Sequence, residues 1–345
     1  MKFSVLVRYS LFTVLLAAGL AGCKQKLDIT APNYVELPVV YGLLNQQDNP
    51  HYIRIEKGYL LKGSAYIGAG NIDSIYYPDV LKVTIKGSVN GNYTLTRVNG
   101  NNIGLPKDPG VFASDSNFLY TFTGNLDPAQ TYTLTIINTT SKDSVTSSTS
   151  PIAPFIIYSP VYGEKINLSN STPKAIRWAT SANAGVYDLS VRLFYTEFRA
   201  TDNTVYKDTF IDVPFFKSYI LPSSNSYGNV EFTEDGLIRY MASHITANIP
   251  VYRTFNVLKG MQFKFIAGGN ELANFMNSQF AQSGLASSNA LPPYTNINGG
   301  EGIFSSRLYV EVDSVLLTPD GLDSLACGSD SHGLNFKGTH GQTCN

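Results

Sequence analysis

Leu81-Lys82-Val83-Thr84-Ile85-Lys86-Gly87, running on into Ser88-Val89-Asn90-Gly91-Asn92-Tyr93, decides the fold. Apolar and polar residues alternate through Ile85, and a period of two turns one side of an extended chain to a core and the other to water. Asn90-Gly91 then supplies residues that accept positive φ at both centres of a tight turn, so the segment reads as a hairpin. The alternation recurs on both sides. Ile53 and Ile55 alternate with Arg54 and Glu56, and further runs carry Tyr93, Leu95 and Arg97; Phe118, Tyr120 and Phe122; and Tyr132, Leu134 and Ile136. Such runs, bounded by Gly, Asn and Pro, are half-buried antiparallel strands.

Leu126-Asp127-Pro128-Ala129-Gln130-Thr131-Tyr132 places a turn and then a tyrosine at the head of a strand. This is the pattern of the tyrosine corner of immunoglobulin-like sandwiches, in which the hydroxyl bonds back to the corner backbone. About six or seven strands over residues 39–152 fit one sandwich of that kind. The expected fold class is therefore mainly β: an N-terminal immunoglobulin-like β-sandwich followed by a second β-rich domain over residues 153–320. Pro151 and Pro154 mark the boundary.

The second half predicts strands at residues 155–158, 175–179, 186–194, 205–213, 253–266 and 308–317. Two short helices interrupt them. Leu237, Tyr240, Met241 and Ile245 keep one apolar face, and Leu272, Phe275, Met276 and Phe280 another. Asn270 serves as N-cap of the second and Gly284 as its stop. Both stripes are expected to cover a sheet face rather than hold a cofactor.

The chain opens with Lys2 and Arg8, then Val14-Leu15-Leu16-Ala17-Ala18-Gly19-Leu20-Ala21-Gly22-Cys23. A basic start, a brief apolar run and small residues form a secretory signal, and the run is too short to span a bilayer. Leu20-Ala21-Gly22-Cys23 looks like a bacterial lipobox. That resemblance implies removal of residues 1–22, acylation of Cys23 with palmitate-like chains, and lasting attachment to a membrane, since several chains hold where one does not. An ordinary cleaved signal with a chance cysteine is the other reading. Residues 23–38, polar and carrying Pro32 and Pro38, form a tether. The 25 basic and 26 acidic residues lose Lys2 and Arg8 on cleavage, which leaves the chain slightly acidic. A nucleic-acid partner needs a basic face, so that class is set aside.

With Cys23 acylated, Cys327 and Cys344 remain, inside the Gly- and Ser-rich tail of residues 321–345. Export favours a disulfide between them. His332 and His340 complete a C-x4-H-x7-H-x3-C set with enough ligands for tetrahedral zinc, although no C-x2-C knuckle is present. The pair is expected to staple a loop that has no core pattern of its own. No metal and no cofactor are called for elsewhere.

No H-E-x-x-H, G-x-S-x-G or Walker motif occurs, and no catalytic residues are assigned. His51 reads as a solvated strand residue and His244 as a polar group on a helix face. Asp115-Ser116-Asn117 and Asp320-Gly321-Leu322-Asp323 fall short of a calcium loop and are read as turns. Trp178 stands alone, so a sugar-stacking platform would rest on tyrosines. Asp73-Ser74-Ile75, Asp143-Ser144-Val145, Asp313-Ser314-Val315 and Asp323-Ser324-Leu325 look like bacterial O-glycosylation acceptors, a pattern short enough to recur by chance.

Tyr294-Thr295-Asn296-Ile297-Asn298-Gly299-Gly300-Glu301-Gly302-Ile303-Phe304-Ser305-Ser306-Arg307 carries a further pattern. Together with Val40-Tyr41-Gly42-Leu43-Leu44, His51-Tyr52-Ile53-Arg54 and Arg253-Thr254-Phe255, it resembles a Bacteroidetes lipoprotein family, catalogued as domain of unknown function 4249. The resemblance implies an outer-membrane lipoprotein of β-sandwich modules, often partnered with a TonB-dependent receptor. It supplies no catalytic residues. Lys24, Gln25 and Lys26 stand where surface-export signals of that phylum place acids, so the membrane face stays open.

The glycine run itself means close backbone approach, either to the protein's own chain in a bulged connection or to a ligand. Two function classes follow: a non-catalytic binding or accessory module, or a structural envelope protein without a ligand. Under the first, the second domain is the working one. Tyr294, Asn296, Asn298 and Arg307 are the candidate binding residues, and the asparagines have a competing role in satisfying the loop's own backbone.

Overall fold

The computed structural model describes residues 37–58, 68–168, 173–221, 226–246, 250–283 and 294–343. Cys23, the lipobox, the tether through Glu36, Gly284 and Cys344 lie outside the described residues. Residues 36–345 form one compact unit.

The protein is mainly β. Its N-terminal half holds β1 (Leu37–Leu44), β2 (His51–Gly58), β3 (Leu81–Gly87), β4 (Asn92–Thr94), β5 (Thr96–Asn99), β6 (Phe118–Phe122), β7 (Tyr132–Asn138) and β8 (Ser144–Thr149), with a one-turn helix α1 (Ile72–Ile75). The C-terminal half continues with β9 (Ile157–Ser159), β10 (Lys165–Ile166), β11 (Lys174–Ala179), β12 (Ala184–Arg199), β13 (Val205–Tyr219) and β14 (Tyr227–Phe232). Helix α2 (Glu234–His244), β15 (Val251–Phe255), β16 (Met261–Gly269), α3 (Asn270–Ser283), β17 (Glu301–Leu317) and α4 (Pro319–Cys327) complete it.

Strand β17 joins the halves. Its opening stretch, Glu301 to Ser306, runs parallel to β1, and from Arg307 onward it pairs antiparallel with β16. One sheet therefore continues in the order β13-β12-β16-β17-β1-β2-β6-β5. Two smaller sheets, β4-β3-β7-β8 and β14-β11-β9, complete the β structure. The expected boundary near residue 152 coincides with a change of core rather than a break in the sheet. Val40, Ile53, Ile85, Leu134 and Ile136 share one apolar cluster; Trp178, Val191, Phe263 and Phe265 belong to the other. Phe304, from the C-terminal half, is wholly buried in the N-terminal cluster, worth about 1.5–3 kcal/mol on burial.

The hairpin forms, but on a longer turn than expected: residues 88–91 connect β3 to β4, and of Asn90 and Gly91 only Gly91 takes positive φ. The corner forms as its residues dictate. Lys86 pairs with Asn92, Gly91 takes φ +82°, and Gly87 donates its N–H to Gly91 O at 2.8 Å. Tyr132, 1% exposed, accepts the Asp127 amide on its hydroxyl at 2.8 Å. Gln130 ties the two features together: its Oε1 accepts from Val89 N and Asn90 N, while its Nε2 donates to Asn90 Oδ1.

Several expectations need correction. The run from Tyr93 to Arg97 is not one strand: at buried Leu95 the chain passes from β4 in one sheet to β5 in the other. Residues 253–266 are two strands, because Asn256 Oδ1 takes the amides of Leu258 and Lys259 and Gly260 closes the turn at φ +65°. His51 is 3% exposed, not solvated; its ring stacks on Phe122 at 4.6 Å and its Nε2 meets Gly124 O at 2.8 Å.

The tail also has more structure than expected. Thr318 caps α4 through Gly321 N, Pro319 occupies its first turn, and Leu325, Ala326, Leu334 and Phe336 enter the C-terminal core. Isolated apolar residues among glycines and serines give no periodicity, yet Phe336 still finds a slot beside Tyr195.

Both expected helices are present. In α2, Leu237 and Met241 are buried, as their spacing requires. In α3 Ala273 is buried, while Phe280 stays 59% exposed. The reason is close approach, since Gly185 lies against Asn270 and Ala273 and Gly268 against Leu272.

Candidate functional site

The run from Tyr294 to Arg307 is built into the frame. Asn296 uses its side-chain amide as a strand would use its backbone: Nδ2 donates to Phe304 O at 2.6 Å and Oδ1 accepts Phe304 N at 2.9 Å. Asn298 exchanges backbone hydrogen bonds with Thr146, extending the edge of β8. Tyr294 donates its backbone N–H to Ser278 Oγ on α3 at 3.2 Å. The glycines meet the protein's own chain: at Gly302, φ +97°, a Cβ would stand 2.1 Å from Val40 O on β1. The close approach that the glycine run demands is therefore made to a strand.

Arg307 has a different neighbourhood. It pairs with Asp48 at 3.4 Å, and its guanidinium lies 5.2 Å from the centre of the Tyr309 ring. Gln47 of the same turn takes both backbone groups of Tyr309, at 2.9 and 3.0 Å. The asparagines thus bond to β8 and β17, and Arg307 bonds to the turn after β1. Their shared role is to join the halves.

Two grooves lie on the N-terminal half. One groove, of about 570 Å³, is lined by Tyr76, Tyr77, Phe118, Arg97, Lys57 and Asp73 among others. The Arg97 guanidinium lies over Phe118 at 3.8 Å and donates to Tyr77 O at 3.0 Å. Burial, reinforced by Glu56 and opposed by Arg54, raises the Tyr76 phenol above its ordinary value. Burial likewise pushes Tyr120, on the core side of β6, up to about 12. These hydroxyls stay protonated at physiological pH.

A second groove, of about 530 Å³, lies where the chain changes sheet between β4 and β5. Register puts Tyr52, Thr96 and Thr121 side by side on the outer face of β2, β6 and β5, opposite to the side of Ile53 and Tyr120. Tyr93, Thr94 and Thr123 also line the groove. Read in sequence, these threonines are only the water side of alternating strands, so nothing singles them out before the sheets are assembled.

Other candidates resolve into structure. Asn117 is buried, donates to Leu105 O at 2.8 Å and takes the Asn99 side-chain oxygen on its own backbone amide at 3.1 Å. Trp178 is wholly buried among Tyr187, Phe216, Tyr219 and Phe265. Asp323 accepts from the Thr339 amide, the Thr339 hydroxyl and Gln342 Nε2, each at 2.8–2.9 Å. His244 is an exposed helix-face group stacked on Tyr240 at 4.0 Å. Among the described residues no three His, Cys, Asp or Glu side chains are placed to hold a metal. Cys327 ends α4, while its expected partner Cys344 lies outside the described residues. Among the described residues no helix is long and apolar enough to cross a membrane.

No protein-family model and no curated protein matches the chain. Among solved structures, a match is found to the C-terminal globular domain of an oligosaccharyltransferase from Pyrococcus abyssi, at 9% identity and a TM-score of 0.20. It covers 61% of this chain and 42% of that one, and at that TM-score it carries no argument about fold or function.

Proposed function

We propose that this chain is an outer-membrane lipoprotein, held by acyl chains on Cys23, that works by contact rather than catalysis as a binding or accessory module of a TonB-dependent uptake system. The lipobox supports the anchor. The observation that carries the contact reading is the pair of aromatic-lined grooves on the N-terminal half, since concave sites with a few polar groups are where small ligands bind.

The N-terminal half is, on this reading, immunoglobulin-like. Its strands follow the order β1-β2-β6-β5 and β4-β3-β7-β8. Lettered A to G with an added C′, this is ABED against C′CFG, and Tyr132 then heads strand F, where the tyrosine corner belongs. The stapled tail belongs to the same reading. Thr339 and Gln342 are held on Asp323, one helical turn before Cys327.

Cell fractionation tests the anchor. Cys23→Ser is expected in the soluble fraction or unprocessed, and a cleaved variant that still sediments with membranes contradicts the proposal. Affinity purification of the wild-type protein from membranes should recover a TonB-dependent receptor. Recovery of none favours the structural alternative.

A further inference from the structure

We infer that the groove between β4 and β5 is a binding site for a neutral oligosaccharide. This rests on the binding-module reading and names its ligand class.

The groove lining carries no charged side chain. Among the residues lining the groove none is ionisable except through the Tyr52 and Tyr93 phenols, although arginines, lysines and acids stand on the strands around it. A site with no charge offers an anion or a cation no electrostatic reward for leaving water. Four threonines, Thr94, Thr96, Thr121 and Thr123, are among the residues lining the groove, and a hydroxyl both donates and accepts. Sugar hydroxyls have the same double character, so threonine pairs with them in either sense. Thr94, Thr96 and Thr123 are exposed. Thr121 already donates to His51 O at 2.9 Å and keeps its acceptor lone pairs.

Tyr52, Tyr93 and Phe122 add aromatic surface to the lining. The Tyr93 ring sits 4.8 Å from Phe122, and its hydroxyl donates to Asn125 O at 3.1 Å. Phe122 stacks in turn on His51, so the wall is backed by a row of rings. Glycines fit this ring closely: a Cβ at Gly124 would stand 2.3 Å from it, and one at Gly91 3.1 Å. Tyr52, half-buried on β2, also lines the groove. The face of an aromatic ring is electron-rich and apolar, and it suits the C–H face of a pyranose.

The groove is also held by the fold. Thr94 belongs to one sheet and Thr96 to the other, and Leu95 between them is buried and donates its N–H to Val83 O at 2.9 Å. The walls are therefore fixed by two packed sheets, which keeps the ordering cost of binding low. The volume falls inside the range of small-molecule sites, about 300–1,000 Å³.

The test is calorimetric titration of the purified full chain, in a detergent without a sugar headgroup, using maltotriose, cellotriose, xylotriose and mannotriose, with trigalacturonate as the charged counterpart. At least one neutral trisaccharide is expected to bind with a millimolar or tighter Kd, and trigalacturonate is not. Tyr52→Ala should weaken binding about tenfold, the scale of losing one aromatic anchor. Thr96→Val, which keeps the side-chain shape at an exposed position, should weaken it severalfold without changing the melting temperature. Failure of all four neutral sugars, equal binding of trigalacturonate, or unchanged affinity in both variants overturns the inference. Receptor recovery from membranes with Tyr52→Ala separates the two levels. If recovery persists while the sugars fail, the module reading stands and the sugar site falls.

Discussion

The backbone N–H of Ser181 donates to the hydroxyl of Tyr187 at 3.0 Å, six residues on and at the head of β12. Tyr132 does the same with Asp127 at the head of β7. Both rings are 1% exposed, and in both phenols burial is the main cause of a pKa raised above the ordinary value, while the bonded backbone amide works the other way. Each half of the protein thus pins a loop to a strand by one buried tyrosine. Replacing either by Phe keeps the packing and loses one hydrogen bond, at a cost of about 0.5–1.5 kcal/mol. The two sit in different cores, so Tyr132→Phe with Tyr187→Phe should be additive within about 0.5 kcal/mol in denaturant melts. Strong coupling between them would mean that the cores do not behave independently.

Gly302 fixes how β17 meets β1. Its φ of +97° is strained for any L side chain, and a Cβ would stand 2.1 Å from Val40 O. Gly302→Ala therefore has to push β17 away from β1 at the joint between the cores, and a loss above about 2 kcal/mol is expected from strain and clash together. At Gly110 a Cβ would meet nothing within 4 Å and φ is not positive, so Gly110→Ala serves as control. It should melt within about 0.5 kcal/mol of wild type. Equal melts for the two variants would remove Gly302 from the joint.

How far the fold is legible in the sequence varies with the physics. Hairpin and corner are plain because their residues act locally: Gly91 needs positive φ, and Tyr132 reaches only five residues back. The strand β17 is readable only from Leu308, where alternation is clean. Its opening stretch, Gly302 to Ser306, is buried throughout and so carries no period. Parallel pairing of β1 with a strand some 260 positions away leaves no mark on either segment. The same applies to Asn296, whose amide stands in for a strand it adjoins only after folding. The second corner has a weaker signal, Ser181-Ala182-Asn183-Ala184-Gly185-Val186-Tyr187, one residue longer than the first and without the proline.

Arg253 is the most consequential buried charge. It is 1% exposed, pairs with Glu197 at 2.9 Å, and donates to Leu334 O at 2.6 Å and Thr246 O at 3.0 Å. Its backbone N–H donates to Asn335 O and its carbonyl accepts Lys337 N, so the tail docks on β15 as one further bridge. Arg253→Met removes the cation and leaves Glu197 and two carbonyls unpaired, a loss of about 3–5 kcal/mol. Glu197→Gln leaves the carbonyl acceptors in place and should cost less. Hydrogen exchange at the Lys337 amide reads the local effect directly. If that amide stays protected in Arg253→Met, the arginine does not hold the tail.

The other tail fastening is Asp323, and it responds to pH. The Thr339 amide first, then its hydroxyl and Gln342, hold the exposed carboxyl below its ordinary 3.8. A carboxyl lowered by folding stabilises the folded state above its unfolded value, and that help disappears as pH falls through the folded one. Docking of residues 338–342 on α4 should therefore be intact at neutral pH and loosen below pH 3.8, seen as faster exchange at the Thr339 amide. Asp323→Asn should loosen it at neutral pH and abolish the acid response. The expected Cys327–Cys344 disulfide closes a short loop around the same contact and adds about 3 kcal/mol if relaxed. Intact mass without reductant should show two hydrogens fewer than the reduced chain, and reduction should enlarge the effect of Asp323→Asn. Two free thiols or stoichiometric zinc in the purified protein would discard the staple, and acid-insensitive exchange at Thr339 would discard the carboxylate clasp.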